Sequence, residues 1–408
     1  MTAEPTGRRA GSAAEGDAAW FRRHLLDDLL PRWLRAVDCP SGLFMPQLDR
    51  AWQPKERSHA TLVSQSRLIY NFATGFRLTD DERYRLAVQR GADALLAHFS
   101  ADEPGVWSWS VDESGSILDE RRSAYGHAFV VFGLAHAFAA TGDERYRARA
   151  RATAHALRTR FRDAHGGLIP TLERDGSDVG ATRSQNPVMH FFEALLALGH
   201  EGADEESLRH AAELAEWVIG ELVLPDGILP ELYSDDWQPL GEAQGGRTDI
   251  GHQFEWAYLL SRAVEVGALS DAGTPAPWVG GGKGEGGLPI ALGRAMIENG
   301  LRLGYDTASG GIWSPATPDG RILHRAKGWW EQCEAARALH RYATRHGDTE
   351  CDGPLAATIA LCRDRFVDGE HGGWFMRIEP DGTVPSTDKG NEWKVDYHVV
   401  GLCLEMGW

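Results

Sequence analysis

Gly166-Gly167-Leu168, Gly310-Gly311-Ile312-Trp313 and Gly372-Gly373-Trp374 are each followed, at one shared offset, by an Asp-Gly pair: Asp175-Gly176, Asp319-Gly320 and Asp381-Gly382. A glycine pair, a short apolar or aromatic run and then Asp-Gly reads as a short hairpin, because the tight turn needs positive φ. Gly105-Val106-Trp107 before Ser114-Gly115 is a looser copy, and Asp226-Gly227-Ile228 and Ser41-Gly42-Leu43 are two further candidates. The last glycine of each copy stands at 42, 105, 167, 227, 311 and 373, so the steps are 63, 62, 60, 84 and 62 residues. Five near-equal steps, one of them enlarged, predict about six structural units. The enlarged step contains Gly280 to Gly287, a glycine-rich stretch expected to form a flexible loop.

Between the glycine signals lie segments with helical periodicity and recognisable starts. Thr79-Asp80-Asp81-Glu82-Arg83-Tyr84-Arg85 leads into Ala87 to Phe99, and Thr141-Gly142-Asp143-Glu144-Arg145-Tyr146-Arg147 leads into Ala148 to Phe161. The shared Asp-Glu-Arg-Tyr-Arg string is a second mark of duplication, and its acidic residues sit where a helix start favours negative charge. Each unit therefore reads as helix, turn, helix, short hairpin. The expected fold is all-α: an (α/α)6 barrel, or toroid, of about twelve helices with short β-hairpins between helix pairs. An open helical solenoid competes, and six units with aromatic-rich hairpins at one recurring place favour closure. Residues 1–17, small, polar and charged, are expected to be a disordered lead-in, with 18–408 forming one barrel domain.

The 408 residues are 42% hydrophobic and 25% charged, enough for a large core. A net charge of −17 argues against nucleic acid or an anionic membrane as partner. No apolar stretch approaches the roughly 20 residues of a membrane span. Cys39, Cys333, Cys351, Cys362 and Cys403 are sparse, odd in number and lack a close Cys-x-x-Cys pair, which fits reduced thiols and a cytoplasmic setting.

A toroid brings equivalent ends of its inner helices to one pocket, so polar residues inside apolar helical segments are the candidates for chemistry. Arg67, Tyr125 with His127, Asn186 with His190, His252 with Glu255, Trp329 with Trp330 and Glu334, and His398 each fall in a different unit. Singly, each has a bland reading: a histidine satisfied in the core, a buried salt bridge at Arg67, ordinary core tryptophans, a surface pairing for Glu255 and Glu334. Their correspondence across units favours convergence. His190 with Glu193 and His252 with Glu255 share a helical face at His-x-x-Glu spacing. The bundle-type dimetal motif runs Glu-x-x-His with further carboxylates, and His-Glu-x-x-His is absent, so no metal is expected. Glu255 reads instead as the carboxylate that orients a histidine. No phosphate loop or dinucleotide fingerprint is present.

Ser66-Arg67-Leu68 with Tyr70, Tyr125-Gly126-His127-Ala128-Phe129, Asn186 with Met189-His190 and Glu193-Ala194, Gly251-His252 with Glu255-Trp256, Trp329-Trp330 with Glu334-Ala335, and Lys394 with Tyr397-His398 occur in this order. In these strings the chain resembles the N-acylglucosamine 2-epimerase superfamily, with its cellobiose 2-epimerases, mannose isomerases and sulfoquinovose isomerases, from about Trp20 to the end. The resemblance implies the (α/α)6 barrel and proton transfer, without a cofactor, at the carbon beside a sugar carbonyl. It implies His252 and His398 as the acid/base pair, Glu255 as the partner of His252, and Arg67 as the group polarising the carbonyl-side oxygen. His190 is implied in substrate binding or ring opening, Tyr125 and Asn186 in hydroxyl contacts, and Trp329, Trp330 and Trp107 in stacking on the sugar.

The chemistry agrees independently. A hydrogen α to an aldehyde is acidic enough for an imidazole base if a cation stabilises the enediolate. The expected substrate is an unphosphorylated monosaccharide or disaccharide, first of all the mannose, fructose and glucose set, because no basic cluster for a phosphate or sulfonate stands out. The expected assembly is a monomer or homodimer. Two other classes fit a toroid: a glycoside hydrolase using paired carboxylates among Glu331, Glu334, Asp112 and Asp235, and a non-catalytic sugar binder.

Overall fold

The structure, a computed structural model, describes residues 16–37, 39–101, 103–271 and 288–408. Most of the lead-in and the glycine-rich stretch Gly280 to Gly287 thus lie outside the described residues. Asp17, counted with the lead-in from sequence, is already the first residue of a helix.

Six helices share one orientation around a central axis: α3 (Leu62–Thr79), α5 (Ala124–Thr141), α7 (Gln185–Glu201), α9 (Ile250–Glu265), α11 (Trp329–His346) and α13 (Tyr397–Gly407). Each packs on its neighbours in chain order, and α13 packs on α3, which closes the ring. Around them lie α4 (Glu82–His98), α6 (Glu144–Thr159), α8 (Glu205–Glu221), α10 (Leu288–Gly304) and α12 (Asp352–Leu361), each the antiparallel partner of the inner helix before it. The sixth outer place is taken from the other end of the chain. There α1 (Asp17–Arg23) and α2 (Leu30–Ala36) are joined through a π-helical turn at His24–Leu29; α1 and the turn pack on α13, and α2 packs on α3. Trp33 donates its indole N–H to Asp396 at 2.9 Å, and Trp374 donates to His24 at 2.8 Å, so the seam is pinned by buried hydrogen bonds across more than 340 positions of sequence.

The division into inner and outer helices follows from composition. Inner α5, Ala-Tyr-Gly-His-Ala-Phe-Val-Val-Phe-Gly-Leu-Ala-His-Ala-Phe-Ala-Ala-Thr, is apolar nearly all round because protein covers it nearly all round. By length and composition it is also the one helix among the described residues that could cross a membrane, and 67% of it is buried inside the ring. Outer α4 and α6 carry the duplicated string: Asp81 and Asp143 cap the backbone N–H of Arg83 and Arg145, and Tyr84 and Tyr146 turn inward. The Asp-Gly turns form as expected, with φ of 88° at Gly176, 90° at Gly320 and 85° at Gly382.

The strands are shorter and more widely shared than the hairpin reading suggests. Within a unit the turn is closed mainly by single bridges such as Leu172↔Asp178 and Ala316↔Ile322. The two-residue ladders run between units: Arg122–Ser123 pairs with Thr171–Leu172, Arg183–Ser184 with Leu232–Tyr233, and Lys327–Gly328 with Arg377–Ile378. The residues just before an inner helix are thereby held by the hairpin of the next unit, which fixes the helix starts relative to one another.

Candidate active site

The starts of the inner helices surround a cavity of about 230 Å³ lined by Arg67, Tyr125, Asn186, His190, Glu231, Arg247, Asp249, His252, Glu255, Trp329, Trp330, Trp393 and His398. Every helical member lies within the first six residues of its helix. Thr61, Ser123, Ser184 and Asp249 cap four of these helices through side-chain oxygens, so the helices begin sharply and the cavity faces their positive ends.

Nine of the ten residues proposed from sequence line this cavity. Trp107 does not. It is fully buried, gives its indole N–H to Thr153 at 2.9 Å and its backbone N–H to His127 Nε2 at 3.1 Å, and serves as core beneath the hairpin. His127 belongs to the same hub: its Nδ1 meets the Ser123 carbonyl at 2.7 Å, and burial pushes its pKa down to about 3, so it stays neutral.

Three histidines in or beside the cavity are each paired with a buried carboxylate. His190 Nδ1 meets Glu193 at 3.0 Å, His398 Nδ1 meets Glu334 at 2.7 Å, and His252 Nδ1 meets Glu231 at 2.7 Å. Engagement of Nδ1 fixes the ring and leaves Nε2 for the cavity. The partner of His252 corrects the reading from sequence. Helical spacing puts Glu255 on the same face as His252, yet both Glu255 oxygens lack any hydrogen-bond partner. Glu231, delivered by the hairpin before α9, takes the histidine instead, and is itself held by Gln185 at 2.7 Å and Ser184 at 3.0 Å. The only local trace of Glu231 in the sequence is an acid inside the apolar run Ile228-Leu229-Pro230-Glu231-Leu232. Burial, and then the charge of Glu334, push the Glu255 carboxyl well above the usual carboxylate range, which favours its protonated form.

The two histidines flanking Trp330, with ring centroids 4.9 Å and 5.6 Å from its own, have opposite electrostatics. Around His252, burial favours the neutral ring, but Glu231 and Asp249 outweigh it and raise the pKa to about 10. Around His398, burial prevails and lowers the pKa to about 4. The physical difference is the charge around each ring. His252 has Glu231, Asp249 and Glu255 raising it, whereas His398 has Glu334 alone, itself bonded by Arg337 at 2.9 and 2.8 Å. The positive charge of Arg67, and that of His190 when protonated, act with burial. At neutral pH these shifts favour the imidazolium at His252 and the free imidazole at His398 and at His190.

Arg67 is 3% exposed and has no carboxylate within ion-pair distance among the described residues, which removes the salt-bridge reading. It donates to the Trp393 carbonyl at 2.8 Å and to the Tyr125 hydroxyl at 2.8 Å, with its guanidinium 4.3 Å from the centre of the Phe129 ring. Trp393, 46% exposed at the rim, escaped the sequence reading because it sits in a loop without periodicity. Asn186 turns a buried, unpartnered Oδ1 to the cavity side of α7.

Donor atoms of His190, Glu193 and Glu255, and of Glu255, Glu334 and His398, lie within 4.8 Å of one another. Glu193 already accepts from Tyr397 and Glu334 from Arg337, so these sets are built as hydrogen-bonded dyads. None of the four hydrolase candidates lines the cavity: Glu331, Glu334, Asp112 and Asp235 are all absent from its wall, and Glu334 is committed to Arg337 and His398.

The family and the relatives that this chain resembles place it in the class of sugar isomerases and epimerases. The chain belongs to the N-acylglucosamine 2-epimerase (GlcNAc 2-epimerase) family, whose model it matches over residues 42–402. It is 26% identical to a D-mannose isomerase of Marinomonas mediterranea over 85% of this chain and 86% of that protein. It is 25% identical to a cellobiose 2-epimerase of Bacteroides fragilis over 95% and 97% of the two chains. A crystal structure of D-mannose isomerase superposes with a TM-score of 0.85 at 22% identity, covering 97% of this chain and 99% of that one, a likeness of fold.

Proposed function

We propose that the protein interconverts D-mannose and D-fructose, with 2-epimerisation to D-glucose as a side branch, through an enediolate held between His398 and His252. The observation that carries the reading is the placing of these two histidines on either side of Trp330 in one cavity, each held through Nδ1 by a buried carboxylate, with the pKa of one raised to about 10 and of the other lowered to about 4. Enediol chemistry needs a base and an acid at the same moment, and a pair matched in protonation state could supply only one.

In the proposed sequence His190 assists ring opening, and the open aldose binds with its carbonyl-side oxygen on Arg67. His398 Nε2 takes the proton from carbon 2, and the negative charge moves to the oxygen on carbon 1, which Arg67 and protonated His252 stabilise. Return of that proton to carbon 1, with transfer of the proton on the carbon 2 hydroxyl to the oxygen on carbon 1, gives the ketose. Delivery of a proton by His252 to the opposite face of carbon 2 gives the 2-epimer. Tyr125 and Asn186 contact hydroxyls, while Trp329, Trp330 and Trp393 offer apolar faces to the ring. Glu255, neutral and between the His190 and His398 dyads, keeps a third negative charge out of the cavity floor. The relatives named D-mannose isomerase support D-mannose as the first sugar, and the relative named cellobiose 2-epimerase supports the epimer branch.

The pH profile tests the reading. Activity requires His398 without its proton and His252 with it. The rate of ketose formation from D-mannose is therefore expected to fall as pH drops towards about 4 and again as it rises towards about 10, with a plateau between. A single sigmoid, or a narrow optimum near 6.5 where a free histidine titrates, would contradict the assignment.

A further inference from the structure

The active-site cavity occupies one end of the ring, where the inner helices start. A second cavity, of about 260 Å³, lies at the other end. Its inner layer is formed by Tyr70, Phe132, Glu193, Tyr258 and Arg337, each the ninth residue of its inner helix, with later residues of the same helices leading outward. No described residue lines both cavities. Five arginines and three glutamates stand in the wall of the second one. Arginines near helix C-termini are expected on dipole grounds alone, so their number does not make a site. The state of one of them does.

Arg337 lines the second cavity and is only 7% exposed. Its Nη1 donates to both oxygens of Glu334, while its Nε is enclosed without a partner and its Nη2 makes no hydrogen bond among the described residues. The group is held in place. Its Cζ lies 4.0 Å from the centre of the Tyr258 ring, and an added Cβ at Gly401 would lie 2.9 Å from the same atom. A fixed guanidinium with unused donors on its outer edge suits an oxyanion. The hydroxyl of Tyr70 stands in the same layer, and burial pushes its pKa up to about 12, so it stays a donor.

The outer arginines are thinly matched. Arg262, Arg341 and Arg345 share one carboxylate, Glu265. Burial alone would raise the pKa of Glu265, yet Arg341 and Arg262 bring it down to about 2. Arg77 reaches Glu201 only at 3.5 Å. The glutamates of the wall are not spare either, since Glu193 is taken by His190 and Tyr397 and Glu405 by Arg341. Arg77 and Arg345, with side chains 51% and 57% exposed, leave a route for an ion from solvent.

Arg337 also reaches the active site from behind, because the Glu334 it holds is the carboxylate of His398. The charged groups facing His398 are Glu334 on α11, Arg67 on α3 and His190 on α7, with Glu255 on α9 acting on Glu334. An anion on Arg337 offsets the guanidinium charge and leaves more of the Glu334 charge to act on His398. That favours the protonated ring and removes the base. We infer that the cavity at the far end of the ring is a regulatory site for a small oxyanion of the phosphate or sulfate type, bound by Arg337 and the outer arginines and felt at His398 through Glu334. The effect on turnover rests on the isomerase reading; the binding does not.

The test titrates inorganic phosphate by calorimetry into the wild-type protein, Arg262→Gln and Arg77→Gln, with and without D-mannose. Glu265 keeps Arg341 and Arg345 when Arg262 is replaced, so that variant is expected to fold, and the exposed Arg77 provides a second. Saturable binding to the wild type is expected, undisplaced by D-mannose and weaker by about tenfold or more in Arg262→Gln. Saturating phosphate should also lower kcat for D-mannose on the acid side of the pH profile and leave KM unchanged, an effect blunted in both variants. Phosphate that D-mannose displaces, or that binds wild type and variants alike, lies elsewhere and overturns the inference. Phosphate bound at the arginines with kcat unchanged at every pH overturns it too. D-mannose left unturned, with phosphate binding lost in the variants, upholds the site and sinks the isomerase reading.

Discussion

His398→Ala is expected to lower kcat for D-mannose by about 10²–10⁴-fold, the range a positioned general base contributes, while the protein stays folded. The argument starts from burial. His398 is enclosed, and its pKa, lowered to about 4, leaves the ring free to accept a proton throughout the neutral range. Glu255 favours its protonated form and His252 its imidazolium, so neither competes with His398 as a base; His190, whose pKa burial also lowers, is the other free imidazole and is held by Glu193. Folding survives because the partner left behind is not orphaned. Glu334 keeps both hydrogen bonds to Arg337, so no uncompensated charge appears in the core. Circular dichroism and a thermal melt beside the kinetics check this. A variant that melts like the wild type and retains more than a tenth of its kcat would remove His398 from the reaction.

Glu231→Gln is the second large effect, expected at about 10²-fold or more in kcat at neutral pH, by analogy with the loss of an orienting carboxylate in other histidine dyads. Burial lowers the His252 pKa and the Glu231 charge is the largest influence raising it, so with Glu231 gone the preference for imidazolium weakens. The alkaline limb of the pH profile should then move to lower pH, because His252 surrenders its proton earlier. Glu255→Gln makes the informative contrast. Its carboxyl is already neutral and unpartnered, so an amide of the same shape changes the charge balance little, and its loss of kcat should be the smaller of the two. If Glu255→Gln shifted the alkaline limb and Glu231→Gln did not, the partner assigned from helical spacing would be the right one.

That contrast also marks where the sequence stops being legible. The ring was readable because each unit repeats a backbone requirement, positive φ at a turn, that glycine alone meets easily, and repetition made the period visible. The helical site residues were readable for a related reason: Arg67, His190, His252, Glu255 and His398 are polar interruptions of apolar periodicity near helix starts. Glu231, Arg247 and Trp393 come from loops and hairpins, where no period exists to be broken. His252 finds its carboxylate 21 positions upstream, through a cross-unit ladder that no local pattern records. Trp107 failed in the opposite direction. It follows a glycine and resembles the other aromatic hairpin residues, but its N–H groups are spent on Thr153 and His127 inside the wall. The closing pair was hidden as well, since α1 packs on α13 from the far end of the chain and α2 on α3.

The central claim is enediolate proton transfer between two histidines, and proton NMR of D-mannose incubated with chelator-treated protein in heavy water tests it most directly. The account predicts fructose and residual aldose labelled with deuterium at the exchanging carbons, with the label lost together with turnover in His398→Ala. Product formed with carbon-bound hydrogen fully retained, or label that persists unchanged in His398→Ala, would contradict it.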